Sequence, residues 1–306
     1  MVSEAIISLS MTQDIKLTPT CSFVDIVPRS QPLTQGENHL IKARTWGSSS
    51  DCRAAVLLVH GLGAHSGWFE ALARRLKVKR IFALAYDQVG FGKRSDQVLM
   101  MKQQWLNDLK DAYEHLRDTV GDRPIFVMGN SMGAVVALKA LSQISPSGLV
   151  MFSPGFDGHP DMFKLTYRVK SMATALLQPD TEIALPYTTD QITREPQVRN
   201  WLANDPDRKF VLTARTLLEL LKLTQETKSS PRKIPCPVYM FTSGQETIVN
   251  NVVSQAIFDR LNAPSKRQHS FPEAWHDLMF DPVLDELVEL LATWMDEVSK
   301  ERLSVS

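Results

Sequence analysis

The chain has 306 residues, 43% of them apolar and 22% charged, with 34 Lys and Arg balanced by 34 Asp and Glu. This is globular composition, and the zero net charge without a basic run argues against a nucleic-acid partner. Three scattered cysteines, Cys21, Cys52 and Cys236, argue against a disulfide framework or a zinc site and predict a reducing, cytoplasmic setting.

Residues 1–20 read as a loose arm with no secretory signal, and no apolar run is long enough to span a membrane. Segments 22–27 and 39–46 are expected to be an antiparallel strand pair at a sheet edge. AAVLLVH (54–60) and IFALAYD (81–87) are continuous apolar runs, as strands buried on both faces require. Between them Trp68, Phe69, Leu72 and Leu76 recur at helical spacing; Trp105, Leu106, Leu109, Ala112, Tyr113 and Leu116 mark an amphipathic helix. A strand from Ile125, a helix after Ser131 and a strand over 148–154 continue the alternation. The pattern predicts an α/β fold with a mostly parallel sheet and helices on both faces.

The alternation stops over 154–235, which is expected to be a helical cap built of helices and loops only. One helix is expected over 162–177. Another should begin at Asp205 as its cap, with Pro206 in the first turn and Leu212, Leu217, Leu220 and Leu221 as its stripe. A strand (237–244), a helix (252–262), a strand (268–273) and a final helix bearing Val283, Leu287, Leu290 and Trp294 then complete the core. The division is thus an arm at 1–20, a core of 21–153 and 236–306, and a cap of 154–235. An insertion there emerges near the C-terminal strand ends, where open α/β sheets bind ligands.

The chemistry centres on Gly129-Asn130-Ser131-Met132-Gly133, placed between a predicted strand and a predicted helix. A sharp turn of this kind holds a serine exposed at a helix N-terminus, where backbone N–H groups face an oxyanion. A serine nucleophile needs a base, and the base needs an orienting acid. His276, in a loop after the last strand, is the expected base; His269 lies inside that strand and reads as a pleat residue. Glu246 is the only carboxylate among residues 244–249, directly after strand 237–244, and is the expected acid, with Asp157 as the alternative. Glu273 and Asp277 stand too near His276 in sequence to span its ring nitrogen. Met132 and Leu62 are the expected oxyanion donors, Leu62 lying in the glycine-bearing loop His60-Gly61-Leu62-Gly63 that His60 would tie down. No clustered ligands suggest a metal, and DQVGFGK (87–93) is not a dinucleotide fingerprint, so no cofactor is expected.

Together HGLGAHSGWF (60–69), DQVGFGKRS (87–95), GNSMG (129–133), SGQETIVNN (243–251) and AWHDLMFD (274–281) resemble the serine α/β-hydrolases, in particular the monoacylglycerol lipase and lysophospholipase branch. The resemblance runs over residues 37–297 and implies Ser131 as nucleophile, His276 as base and the Leu62 and Met132 amides as oxyanion hole. The acid is usually aspartate in this family, and Glu246 departs from that; Gln88 departs where Arg or His is common. The implied substrate is a lipid or small-molecule ester. Met162, Phe163, Leu165, Val169, Met172, Leu176 and Leu177 offer an apolar face to its acyl chain or to the core, with Phe163, Met172 and Leu176 as the expected substrate-binding residues. Contact with a membrane surface through the cap is compatible with this reading. The rival readings are a thioesterase or amidase (aminopeptidase-like) of the same fold, and a non-catalytic binding protein that has kept it.

Overall fold

A computed structural model describes residues 20–30, 40–161, 164–229 and 233–305. Its centre is an eight-stranded sheet of order β1-β2-β4-β3-β5-β6-β9-β10. The strands are β1 (Ser22–Ile26), β2 (Ile41–Trp46), β3 (Ala54–Val59), β4 (Ile81–Tyr86), β5 (Ile125–Asn130), β6 (Gly148–Phe152), β9 (Val238–Ser243) and β10 (Lys266–Phe271). The pairs β1–β2 and β2–β4 are antiparallel and the rest parallel. The edge pair, the buried apolar strands and the mostly parallel sheet all follow the sequence pattern. The predicted turn between β1 and β2 lies mostly outside the described residues, as do positions 1–19 of the predicted arm.

Both sheet faces are covered, which is why β3, β4, β5, β6 and β9 are buried along their whole length. Helices α1 (Glu70–Val78), α2 (Gln103–Val120), α3 (Met132–Ala140), α8 (Asn251–Arg260) and α9 (Leu284–Val305) supply the cover. Helix α3 is apolar but for Lys139 because it is enclosed by the sheet, by α2 and by a helix of the segment between β6 and β9. The chain winds outward from β3 to β4, then returns to place β5 on the other flank of β3. Strand order reverses at that point. The loops leaving β3 and β5 therefore part there and open a crevice at the C-terminal strand ends.

Between β6 and β9 the chain leaves the sheet and forms α4 (Leu165–Leu177), β7 (Glu182–Ala184), α5 (Thr189–Ile192), α6 (Pro196–Ala203), β8 (Val211–Thr213) and α7 (Ala214–Lys228). Two expectations fail here. The segment is not helices and loops only, because β7 and β8 pair as an antiparallel ribbon. The helix expected to begin at Asp205 instead begins at Ala214, capped by the Thr213 hydroxyl, which accepts from the Thr216 amide at 3.2 Å. Asp205 does make the local bond of a cap, its Oδ1 accepting from the Asp207 amide at 3.0 Å while Oδ2 lies 2.8 Å from His65 Nε2 and accepts from Trp68 Nε1 at 2.9 Å. No helix follows because the Lys209 amide is drawn to the Gly63 carbonyl and 211–213 pair with β7. Leu212 accordingly belongs to a strand. Of the helix expected over 162–177, positions 162 and 163 lie outside the described residues.

The turn from β5 into α3 leaves no room for a side chain at either of its glycines. A Cβ on Gly133 would stand 2.0 Å from the Val59 carbonyl oxygen, and one on Gly129 would stand 2.3 Å from the Gly133 carbonyl oxygen. Both obstacles are main-chain atoms of the central sheet and its helix, which have no rotamer to give way. Gly133→Ala is expected to destabilise the protein by about 3 kcal/mol or to prevent folding. Urea unfolding followed by circular dichroism measures this, and a stability within 0.5 kcal/mol or so of wild type would refute the account of this turn.

Candidate active site

Ser131 occupies the one residue between β5 and α3, with φ 52 and ψ −117. A non-glycine residue with positive φ costs on the order of 1–3 kcal/mol and persists only where its surroundings impose it. Here they do. The Ser131 amide donates to the Phe152 carbonyl at 2.9 Å, and the Ser131 carbonyl accepts from Ala134 at 3.1 Å and Gly155 at 3.0 Å. With its backbone held on both sides, the side chain is turned into a cavity of about 410 Å³.

His276 lines the same cavity. Its Nδ1 lies 2.8 Å from Glu246 Oε2, and the two side chains are only 5% and 2% exposed. The longer glutamate reaches the ring because the loop after β9 folds back over it. Glu246 Oε1 accepts from the Ile248 and Val249 amides at 2.8 and 3.1 Å, and Oε2 accepts from Ser243 Oγ at 2.9 Å. Burial pushes this carboxyl up, but the imidazole beside it and the two amides pull it down further, so it lies below the usual glutamate range. Burial likewise pushes His276 down, and the Glu246 charge and hydrogen bond more than offset it, leaving the imidazole above its ordinary value. Asp157, the alternative acid, is engaged by Arg168 at 2.8 Å and Lys228 at 3.0 Å and makes no such bond to His276.

The loop after β3 is held by His60, which is 1% exposed. The Gln88 amide donates to His60 Nε2 at 3.1 Å, so Nδ1 carries the proton and donates to the Gly61 carbonyl at 2.8 Å. Peptide groups are planar and trans. Fixing the Gly61 carbonyl therefore turns the Leu62 N–H, at the other end of the same peptide, the opposite way. Burial lowers the His60 imidazole to about 4, which keeps it neutral and preserves that tautomer. Gly61, Leu62 and Met132 all line the cavity. A Cβ on Gly155 would stand 3.1 Å from the Met132 nitrogen, so a residue without a side chain leaves that amide uncovered.

The segment between β6 and β9 closes the cavity from above. Leu165, Val169 and Met172 of α4 and Leu217, Leu220 and Leu221 of α7 form its apolar wall. Met172, one of the expected substrate-binding residues, lines the cavity. Leu176 does not line it and lies one turn past the last α4 residue that does. Phe163 lies outside the described residues. Several lining residues carried no sequence signal, including Tyr187, whose hydroxyl donates to the Leu62 carbonyl at 2.8 Å. Asn130 and Asp277 also line it. Their adjacency to Ser131 and His276 was visible, but not that they would meet. Among the described residues no group of His, Cys, Asp or Glu is arranged to hold a metal ion.

The family described as serine aminopeptidase, S33, matches residues 50–283. The monoglyceride lipase of Mus musculus is 26% identical over 133 residues, a match spanning 42% of this chain and 44% of that protein's length. The monoacylglycerol lipase of Mycolicibacterium smegmatis is 23% identical over 260 residues, covering 82% of this chain and 90% of its own. A soluble variant of the Saccharomyces cerevisiae monoglyceride lipase, solved with a substrate analog, superposes with a TM-score of 0.80 at 18% identity, covering 92% of this chain and 98% of that one. The fold is that of the α/β-hydrolases.

Because Glu246 holds the imidazole above its ordinary value, Glu246→Gln is expected to move the acid limb of the kcat/KM profile to lower pH. With the orienting charge gone, kcat is expected to fall by about 100-fold or more. A pH–rate profile on a p-nitrophenyl ester checks both; an unshifted limb with unchanged kcat would mean that another carboxylate serves His276.

Proposed function

This chain belongs to the serine aminopeptidase S33 family, and from that premise we propose that it is a serine hydrolase of carboxylic esters, acting on a monoacylglycerol or lysophospholipid-type lipid monoester. The observation that carries the reading is the buried His276–Glu246 bond in a cavity shared with Ser131 on a strained turn. In this mechanism His276 takes the Ser131 hydroxyl proton as Oγ attacks the ester carbonyl. The Leu62 and Met132 amides bind the tetrahedral oxyanion. Collapse breaks the ester C–O bond, and the leaving alcohol takes the proton from His276. A water deprotonated by His276 then attacks the acyl-serine carbonyl, the acyl C–Oγ bond breaks, Ser131 Oγ takes the proton back from His276, and the acid is freed.

The apolar wall contributed by α4 and α7 suits an acyl chain better than a polar amine or peptide. The similarity to monoglyceride lipases supports the same substrate class. The same reading divides the chain into a cap of residues 154–235 and a hydrolase core of 21–153 and 236–306, as the sequence pattern suggests. Leu176 and Leu177, past the stretch of α4 that lines the cavity, are exposed, and we assign this end of α4 to contact with a lipid surface.

Hydrolysis of a chain-length series of monoacylglycerols and p-nitrophenyl esters tests the proposal. Ser131→Ala is expected to lower turnover by at least about 10³-fold. Met172→Trp is expected to shift the preferred chain to a shorter one, while Leu176→Ala leaves the preference unchanged. Wild-type turnover of aminoacyl amides or thioesters, with none of any ester, would contradict the substrate class.

A further inference from the structure

The residue before the proposed nucleophile and the residue after the proposed base are bonded to each other. Asn130 Nδ2 donates to Asp277 Oδ1 at 2.5 Å, across 147 positions of sequence. Both residues are buried, at 2% and 3% exposure, and both line the active cavity. We propose that this bond positions the reacting groups: it fixes the Ser131 turn against the His276 loop and so sets the distance between serine and imidazole.

The other anchors of the His276 loop do not do this. Ser153 Oγ donates to the His276 carbonyl at 2.8 Å and ties the loop to the end of β6. The Asp277 amide donates to the Ile192 carbonyl at 3.1 Å and ties it to α5 in the segment outside the sheet. The Glu246 bond ties the ring to the loop after β9. Only the Asn130–Asp277 bond, among the hydrogen bonds of the described residues, runs from this loop to the last residue of β5, one residue from Ser131. Asn130 Oδ1 is buried with no partner among the described residues, so the amide has Asp277 as its side-chain anchor. A purely structural role would be served as well by two apolar side chains, since burying a carboxylate is costly and an apolar replacement is often neutral or stabilising. Burial does push the Asp277 carboxyl up. Placing it there gains geometry: a short bond between partners that each flank a reacting residue. Small displacements between reacting groups are costly in rate.

The inference rests on Ser131 and His276 acting as proposed above. The experiment measures kcat and KM on a p-nitrophenyl ester for Asn130→Ser, Asp277→Ala, their double variant and Asp277→Asn. Each rate is expressed per serine titrated with a fluorophosphonate, which removes misfolded protein from the count. Asn130→Ser and Asp277→Ala are each expected to lower kcat per titrated site by about 30-fold, with KM within about twofold of wild type. The double variant is expected to be no worse than about threefold below the weaker single one, because both remove the same bond. Asp277→Asn still offers a side-chain carbonyl to the Asn130 amide and is expected to recover to within about fivefold of wild type. Unchanged kcat per titrated site in Asn130→Ser and Asp277→Ala, or losses that multiply in the double variant, would overturn the proposal alone. A wild-type protein that neither turns over ester nor titrates would overturn the functional reading as well.

Discussion

The passage from β5 into α3 with a single residue between them is the constraint on which the rest of the site depends. It is possible because Gly133 lets the helix backbone lie directly on β3. It forces Ser131 into a positive-φ conformation that is held by bonds from its own peptide groups to β6, α3 and Gly155. The strain is therefore distributed into the most buried part of the sheet. A hydroxyl on such a turn has little freedom to move, and the remaining groups need only be brought to it.

They are brought by loops that converge at the reversal of strand order. The loop after β3 is fixed by a neutral histidine, which orients one peptide group. The loops after β9 and β10 meet through Glu246 and His276. The segment outside the sheet is attached to the same loops. The Lys209 amide donates to the Gly63 carbonyl at 2.9 Å, Tyr187 reaches Leu62, and His65 joins Asp205 in a buried pair at 2.8 Å. The wall of the cavity and the loop that carries Leu62 are thus one bonded unit. A change in the segment that shifts Tyr187 or Asp205 therefore acts on the loop that carries Leu62.

Much of this was legible in the sequence, for identifiable reasons. Strands buried on both faces are continuous apolar runs, so β3, β4, β5, β6 and β9 were visible directly. The turn was visible because two glycines and a serine at fixed spacing between a strand and a helix have few other uses. Glu246 was legible because no other carboxylate follows β9 closely, although the folding back that lets it reach His276 was not. The segment between β6 and β9 was read less well. Asp205-Pro206 has the form of a helix start, and Asp205 does accept from the Asp207 amide, but the residues that follow bond to Gly63 and to β7 instead, and the helix waits for Thr213. Leu176 shares an apolar stripe with Met172, and periodicity alone cannot tell where a cavity ends along a helix. The Asn130–Asp277 bond was beyond reach because it joins two loops through the fold and leaves no mark on either one's local pattern.

The central claim is that Ser131 carries the acyl group. The most direct measurement is acid quenching of the enzyme during turnover of a long-chain p-nitrophenyl ester, followed by intact mass and peptide mapping. The account predicts a mass increase equal to the acyl group, located on the peptide containing Ser131 and absent from Ser131→Ala. Turnover without an adduct even under burst conditions, or an adduct on another residue, would contradict it.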